Sequence, residues 1–278
     1  MIVSVGELVL DVTITPAGEL RLDDDSSAAI RLGGGGQAAN FCAWSTALGE
    51  PSRLVTRVGD DETGRRLLAE IESAGVDVRP VVGPEPTGAI AVLVGRAGER
   101  TMATQRGAAI SLAPDDLDPA WFAGARLLHL PAYSLFVEPL ASAALRAAEL
   151  VREQHGLLSV DLSSEAGLRE YGGRRFAELL QELQPELLFG NQREVDVLGR
   201  PLEELAKLPV IKLGADGCRI YGRRVPAPVV TAVDATGAGD AFAAAFCVAY
   251  LEGATPIEAA GRAVLVAARA VTQPGARP

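Results

Sequence analysis

A chain of 278 residues, 48% of them hydrophobic, can bury a substantial core and suits one large α/β domain or two small ones. A formal charge of −10 without clustered Lys and Arg argues against nucleic acid as a partner, and no window of about 18 apolar residues offers a membrane span. Cys42, Cys218 and Cys247 are too scattered for a disulfide framework, and His129 and His155 stand alone, so neither metal clusters nor secretion is indicated; the N-terminus has no leader pattern, and a cytoplasmic protein is expected.

In chain order, the apolar run 1–5 before Gly6 reads as a buried first strand. Residues 8–32 are mixed, with Asp23-Asp24-Asp25 and the turn Pro16-Ala-Gly18, and read as a short sheet of their own. Gly33-Gly34-Gly35-Gly36 leads into a helix over 38–48 that stops at Gly49. A strand at 54–55 follows, then a helix over 64–74 opened by Asp60-Asp61-Glu62-Thr63 and stopped by Gly75. Segments 89–94 and 100–104, joined by Arg96-Ala-Gly-Glu99, look like a β-hairpin. From 127 onward the pattern is regular: strands at 127–130, 157–161, 187–189 and 210–213, with helices over 138–154 and 174–184 and shorter ones before the last strand. The end is helical over 239–252 and 256–272, the second helix capped by Thr255 with Pro256 in its first turn. Apolar strands alternating with helices imply a mainly parallel sheet covered on both faces. The β-rich pieces, about 8–32 and 84–107, are expected to pack together as a small lid within a single domain over 1–278.

Four segments carry candidate chemistry. In Asp234-Ala-Thr-Gly-Ala-Gly-Asp240 small residues run into an apolar helix. The free N–H groups of Gly237, Ala238 and Gly239 would point at one spot, with the helix dipole behind them, which makes an anion hole. Asp240 at its edge is either a proton acceptor for an attacking hydroxyl or simply a helix cap. Gly35-Gly36-Gln-Ala-Ala-Asn40 allows close approach of a polyol, with Asn40 able to donate and accept, or is a flexible turn. It is not a Walker A loop, and the residues before it make no convincing strand for a dinucleotide fingerprint. Asn191-Gln-Arg-Glu194 offers oxygens for Mg²⁺ or its waters, or an ordinary capping box. Lys212-Leu-Gly214-Ala-Asp-Gly217 is a nucleotide-contacting turn or a bare one.

These segments, in this order, resemble the PfkB/ribokinase family of carbohydrate and nucleoside kinases. Gly35 to Gly49 resembles its N-terminal signature and Asp234 to Asp240 its C-terminal one. Val58-Gly-Asp-Asp-Glu-Thr-Gly64, Ala74-Gly-Val-Asp77, the NxxE of Asn191 to Glu194 and the final Gln273-Pro-Gly-Ala276 are similar as well, so nearly the whole chain is covered. The resemblance implies a ribokinase-like three-layer sandwich with a small β lid. It implies ATP- and Mg²⁺-dependent transfer of the γ-phosphoryl group to a hydroxyl of a small sugar or nucleoside. Carried over by residue, Asp240 is the base and Gly237, Ala238 and Gly239 the anion hole. Asp11, Gly35, Gly36, Asn40 and Arg106 lie on the substrate side. Asn191, Lys212, Gly214, Gly217 and Thr236 lie on the nucleotide side, with Glu194 holding Mg²⁺ through water. Some family members bind K⁺ before the anion hole, which makes Asp234 a candidate K⁺ neighbour beside Thr236. The short connection from Gly217 to Asp234 implies an open adenine pocket, and a homodimer through the lid is a candidate assembly. Arg106 is the one cation the sequence offers an acidic sugar, which speaks against a keto-acid. Competing readings are a non-catalytic sensor on the same fold and an oxidoreductase, the latter opposed by Gly6 standing alone after the first strand.

Overall fold

The computed structural model describes residues 1–95 and 100–278. The chain starts with β1 (Ile2–Val5), β2 (Val9–Pro16) and β3 (Ala28–Gly35), followed by α1 (Gln37–Ala47), β4 (Ser52–Gly59), α2 (Glu62–Ser73), β5 (Asp77–Gly83), β6 (Thr87–Val94) and β7 (Arg100–Gly107). Strand and helix then alternate: β8 (Leu127–Pro131), α3 (Leu140–Arg152), β9 (Leu157–Asp161), α4 (Glu165–Tyr171), α5 (Gly173–Leu183), β10 (Leu187–Asn191), α6 (Gln192–Leu198) and β11 (Leu208–Lys212). The hairpin β12 (Cys218–Ile220) and β13 (Arg223–Val225) and the helices α7 (Ala238–Leu251) and α8 (Pro256–Ala270) complete it.

Nine strands form one sheet in the order β13-β12-β11-β10-β9-β8-β1-β4-β5, parallel except for β12 and β13. Its central strands are buried on both faces, mostly apolar with Ser4, His129 and Ser159 buried among them. Ile2 faces one core and Val3 and Val5 the other, the strand alternation splitting β1 between two layers. The first core holds α1, α2, α7 and α8, the second α3, α4, α5 and α6. The result is the three-layer sandwich expected from the strand–helix alternation. A separate four-stranded sheet, β3-β2-β6-β7, is built from the two β-rich segments. Among the described residues no helix is long and apolar enough to cross a membrane.

Several elements escape the sequence pattern. β5 is an edge strand interrupted by Pro80, and β12 and β13 are only three residues each. α2 starts at Glu62 rather than 64, because the Asp61 carboxylate caps it by accepting from the Gly64 N–H at 2.7 Å. A full strand does precede the glycine-rich run: β3 lies on the edge of the small sheet, largely exposed, so it lacks an alternating pattern. The connector Arg96 to Glu99 lies outside the described residues.

Candidate active site

The C-terminal ends of β1, β9, β10 and β11 open on one edge of the large sheet, where open α/β sheets place ligands. α7 aims its N-terminus at the same edge. Gly237 precedes it with φ 72°, and a Cβ there would lie 2.3 Å from the Ala276 carbonyl, so only glycine lets the turn pack against the 273–277 segment. The first N–H groups of α7 have no carbonyl a turn back to bond. The expected hole is narrower than the sequence suggests, since the Ala238 N–H leans back to the Ala235 carbonyl at 3.4 Å.

Asp240 sits in this first turn, half-buried. Burial pushes its carboxyl up to about 7, with the nearby Asp161 and Asp11 adding to the rise and a hydrogen bond from Asn40 and the charge of Lys212 opposing it. Asn40 Nδ2 donates to Asp240 Oδ2 at 2.9 Å, joining the two signature segments across 200 residues. Lys212, at the end of β11, donates from Nζ to Asp161 Oδ2 at 2.6 Å, and that Nζ stands 3.4 Å from where a Gly239 Cβ would be. A cation therefore borders the open end of α7. Burial works against the Lys212 charge, but Asp161 and Glu194 more than offset it and raise its pKa.

Asn191 and Glu194 make the reciprocal capping box: Asn191 Oδ1 accepts from the Glu194 N–H at 3.1 Å, and Glu194 Oε2 from the Asn191 N–H at 2.8 Å. Glu194 is nonetheless buried, its pKa raised by desolvation, beside Lys212 and Asp161. Among the described residues no three His, Cys, Asp or Glu side chains converge as a metal site. With Asp161 spent on Lys212, the Glu194 carboxylate on an edge that also bears an open helix end fits a hydrated Mg²⁺ held through its waters, not an all-protein cage.

Lys212, Gly214, Gly217 and Gly239 border a cavity of about 390 Å³ whose walls are apolar, with Val264 and Val271 on one side and Pro228 and Val230 on the other. Val229 beside it is fully exposed, so the wall formed by the short connection is open. Size and apolar lining suit a purine next to a phosphate-binding helix end.

On the other side of Asp240 lies the small sheet. The Asp11 carboxylate lies over Gly35, where any Cβ would collide with it, and burial lifts it to about 6. Gly36, at φ 99°, turns the chain against the Glu7 carbonyl. Arg106 pairs with the buried Glu7 and lies over the Tyr133 ring at 4.0 Å, at the cleft rim. Arg106 is not the one cation here, as the sequence suggests. Arg100 reaches Asp234 Oδ1 at 2.6 Å, Arg31 approaches Asp234 Oδ2 at 3.9 Å, and Arg277 enters beside Asn40. Asp234 also accepts from the Thr236 N–H and Oγ1 and from the Gly275 N–H. With its oxygens so occupied, Asp234 fits a potassium ion poorly, and no step is derived through one. Thr236 is likewise spent on Asp234 rather than directed at the cavity.

Sequence reasoning misses Asp161, Glu7, Arg31, Arg100 and Arg277. Asp161 had a usable signal, a carboxylate ending an apolar strand at the ligand edge; the arginines had none, since their partners lie far away in sequence.

The pfkB family carbohydrate kinase model matches residues 1–278. Fructokinase-1 of Zea mays is 33% identical over 265 residues, covering 88% of this chain and 81% of the relative. An adenosine kinase from Sinorhizobium meliloti superposes with TM-score 0.89 at 24% identity over 100% of this chain and 95% of that one. An E. coli protein assigned as a ribokinase II, solved with ATP and Mg²⁺, gives TM-score 0.86 at 25% identity over 99% and 94%.

Proposed function

Because this chain belongs to the pfkB family of carbohydrate kinases, phosphotransferases with an alcohol acceptor, we propose that it phosphorylates a small neutral sugar from ATP with Asp240 as the base. The observation that carries the assignment is the half-buried Asp240 carboxylate, held by Asn40 at the open end of α7 and poised near neutrality. A base is most effective with its pKa near the working pH. Asp240 Oδ1 accepts the hydroxyl proton as the sugar oxygen bonds to the γ-phosphorus and the bond to ADP breaks. The Gly239 and Asp240 N–H groups and Lys212 face the charge that accumulates on the phosphoryl oxygens. The cavity bordered by Gly214 and Gly217 receives the adenine. Glu194 would hold Mg²⁺ through water, with Asn191 fixing the Glu194 carboxylate, and the ion would supply positive charge against the phosphates.

Asp11, Gly35, Gly36 and Asn40 are assigned to the sugar, and the small sheet to a lid that excludes water. Each arginine bordering the cleft among the described residues is already matched: Arg106 to Glu7, Arg100 and Arg31 to Asp234, Arg277 to Glu70. Arg100 and Arg31 share one carboxylate, so the neutral reading, with a ketohexose first, rests on the fructokinase likeness. The outer face of the small sheet carries Val12, Ile14, Ile30, Leu32 and Leu93 in register, with Ile30 and Leu32 exposed, which supports a second copy of the chain as partner.

The test is ADP release by the purified protein with ATP and Mg²⁺ against hexoses, pentoses, sugar acids, sugar phosphates and nucleosides. A neutral sugar gives turnover, and Asp240→Asn lowers kcat by about 10²-fold or more with nucleotide binding retained. Undiminished turnover in Asp240→Asn overturns the mechanism.

A further inference from the structure

Arg277 is a residue that neither the signature motifs nor the reaction scheme uses. Its side chain is nearly buried and spends all three nitrogens on the substrate side of the cleft. Nε donates to Asn40 Oδ1 at 3.1 Å, one terminal nitrogen donates to the Gly35 carbonyl at 2.9 Å, and the other pairs with Glu70 Oε1 at 3.2 Å. The backbone just before it is anchored: Trp44 Nε1 donates to the Ala276 carbonyl at 2.9 Å, and the Gly275 N–H to Asp234. Glu70 also accepts from the Gly34 N–H at 3.1 Å, so the guanidinium is braced from α2 and β3.

A guanidinium can only donate, whereas an amide has one accepting and one donating end. Facing Arg277, Asn40 must present its oxygen, which leaves its NH₂ for Asp240, as observed. Were the amide reversed, its oxygen would face the Asp240 carboxylate, and only a protonated Asp240 could satisfy it. A protonated carboxyl is no base. We infer that Arg277 is a positioning residue that fixes the Asn40 amide so that Asn40 donates to Asp240 and keeps it ionised for proton abstraction. The inference rests on Asp240 being the base. The other charged groups facing Asp240 are Asp161 from β9, Lys212 from β11 and Asp11 from β2, and Arg277 itself adds a cation. Removal of Arg277 therefore acts through the amide and through charge, and a test must separate the two.

The experiment is kcat/KM against pH for the parent, Arg277→Met, Arg277→Lys, Asn40→Ala and the Asn40→Ala/Arg277→Met double variant, each checked for cooperative unfolding. In the parent the acid limb falls near pH 7, with about a tenfold loss per unit below it. In Arg277→Met the limb moves up by about one unit, so the rate drops about tenfold at about pH 6 and recovers in alkali. Arg277→Lys, which keeps the charge but not the fork, moves it by less. In the Asn40→Ala background the Arg277→Met change adds only the smaller shift left by the lost charge. A loss equal at every pH, or the same shift with Asn40 absent, overturns the inference. If Arg277→Met does not fold, Arg277→Gln carries the same comparison. A parent without an acid limb, or an active Asp240→Asn, sinks the base assignment instead; a parent limb that Arg277 variants leave unmoved sinks this inference alone.

Discussion

The site turns on a few side chains whose charge states depend on neighbours brought from far along the chain. Asp240 is the clearest case. In an unfolded chain its carboxyl ionises near 4, in the folded protein at about 7, mainly because of burial. Between those values the folded state binds more protons, so stability declines as pH rises from about 4 to about 7 and is level beyond. Asp240→Asn cannot ionise and escapes this loss. The variant is expected to be more stable than the parent at about pH 8, by at most about 4 kcal/mol, with the gap closing toward about pH 4, as read by thermal or urea unfolding at both pH values. A gap that is equal at both, or absent at the higher pH, contradicts the stated burial of the carboxylate. His129 shows the opposite economy: stacked on Phe41 at 3.7 Å and bonded to Ser159, it is pushed by burial to about 3 and stays neutral in the core, as its isolation in the sequence suggests.

At the scale of elements, helix starts do most of the positioning. α1 delivers Asn40, α7 delivers Asp240 and its free N–H groups, and α6 fixes Glu194 through a capping box that the spacing of Asn191 and Glu194 announces. α2 has a cap with a second task. Asp61 accepts from the Gly64 N–H and also from the Thr87 N–H and hydroxyl at 2.8 Å, tying the helix to the first residue of β6. The Gly59 N–H of β4 donates to the same Thr87 hydroxyl at 3.0 Å, so Asp61 braces a junction between the two sheets. Asp61→Ala removes a cap and leaves the Thr87 amide without its acceptor, and a loss of about 2 kcal/mol is expected. The urea midpoint falls while the slope of the transition is unchanged. A loss within a few tenths of a kcal/mol would mean that solvent replaces Asp61.

For the whole molecule, the decisive relation is between the two sheets. Arg31 and Arg100 reach from β3 and the start of β7 to Asp234, just before the anion hole, while Arg106 reaches Glu7. One face of the small sheet thus turns three arginines to the cleft. The other is apolar, with Ile30 and Leu32 at 62% and 52% exposure. An apolar sheet face turned to water favours pairing with a second copy. Light scattering of the parent is expected to give a dimer mass, and the Ile30→Asp/Leu32→Asp variant a monomer that still unfolds cooperatively. A monomeric parent at micromolar concentration rules the dimer out.

The sequence by itself determined the parallel core and most of the polar cast. Mostly apolar strands buried on both faces leave a clear signal, and a glycine-rich helix start followed by a carboxylate is legible because its parts are adjacent in the chain. Asp240, Asn40, Glu194 and Lys212 stand out as candidates in their local patterns, and the family resemblance implies their roles. Edge elements such as β3, β5 and the β12–β13 hairpin stayed hidden, because half-exposed or very short strands carry little periodicity. Only the tertiary structure decided who faces whom: Asn40 against Asp240, Asp161 against Lys212, Arg100 against Asp234 and Arg277 against Asn40. Those pairs span 51 to 237 residues, and the charge state of a buried carboxylate is set by such neighbours and by the water they exclude, neither of which is written in any local stretch of sequence.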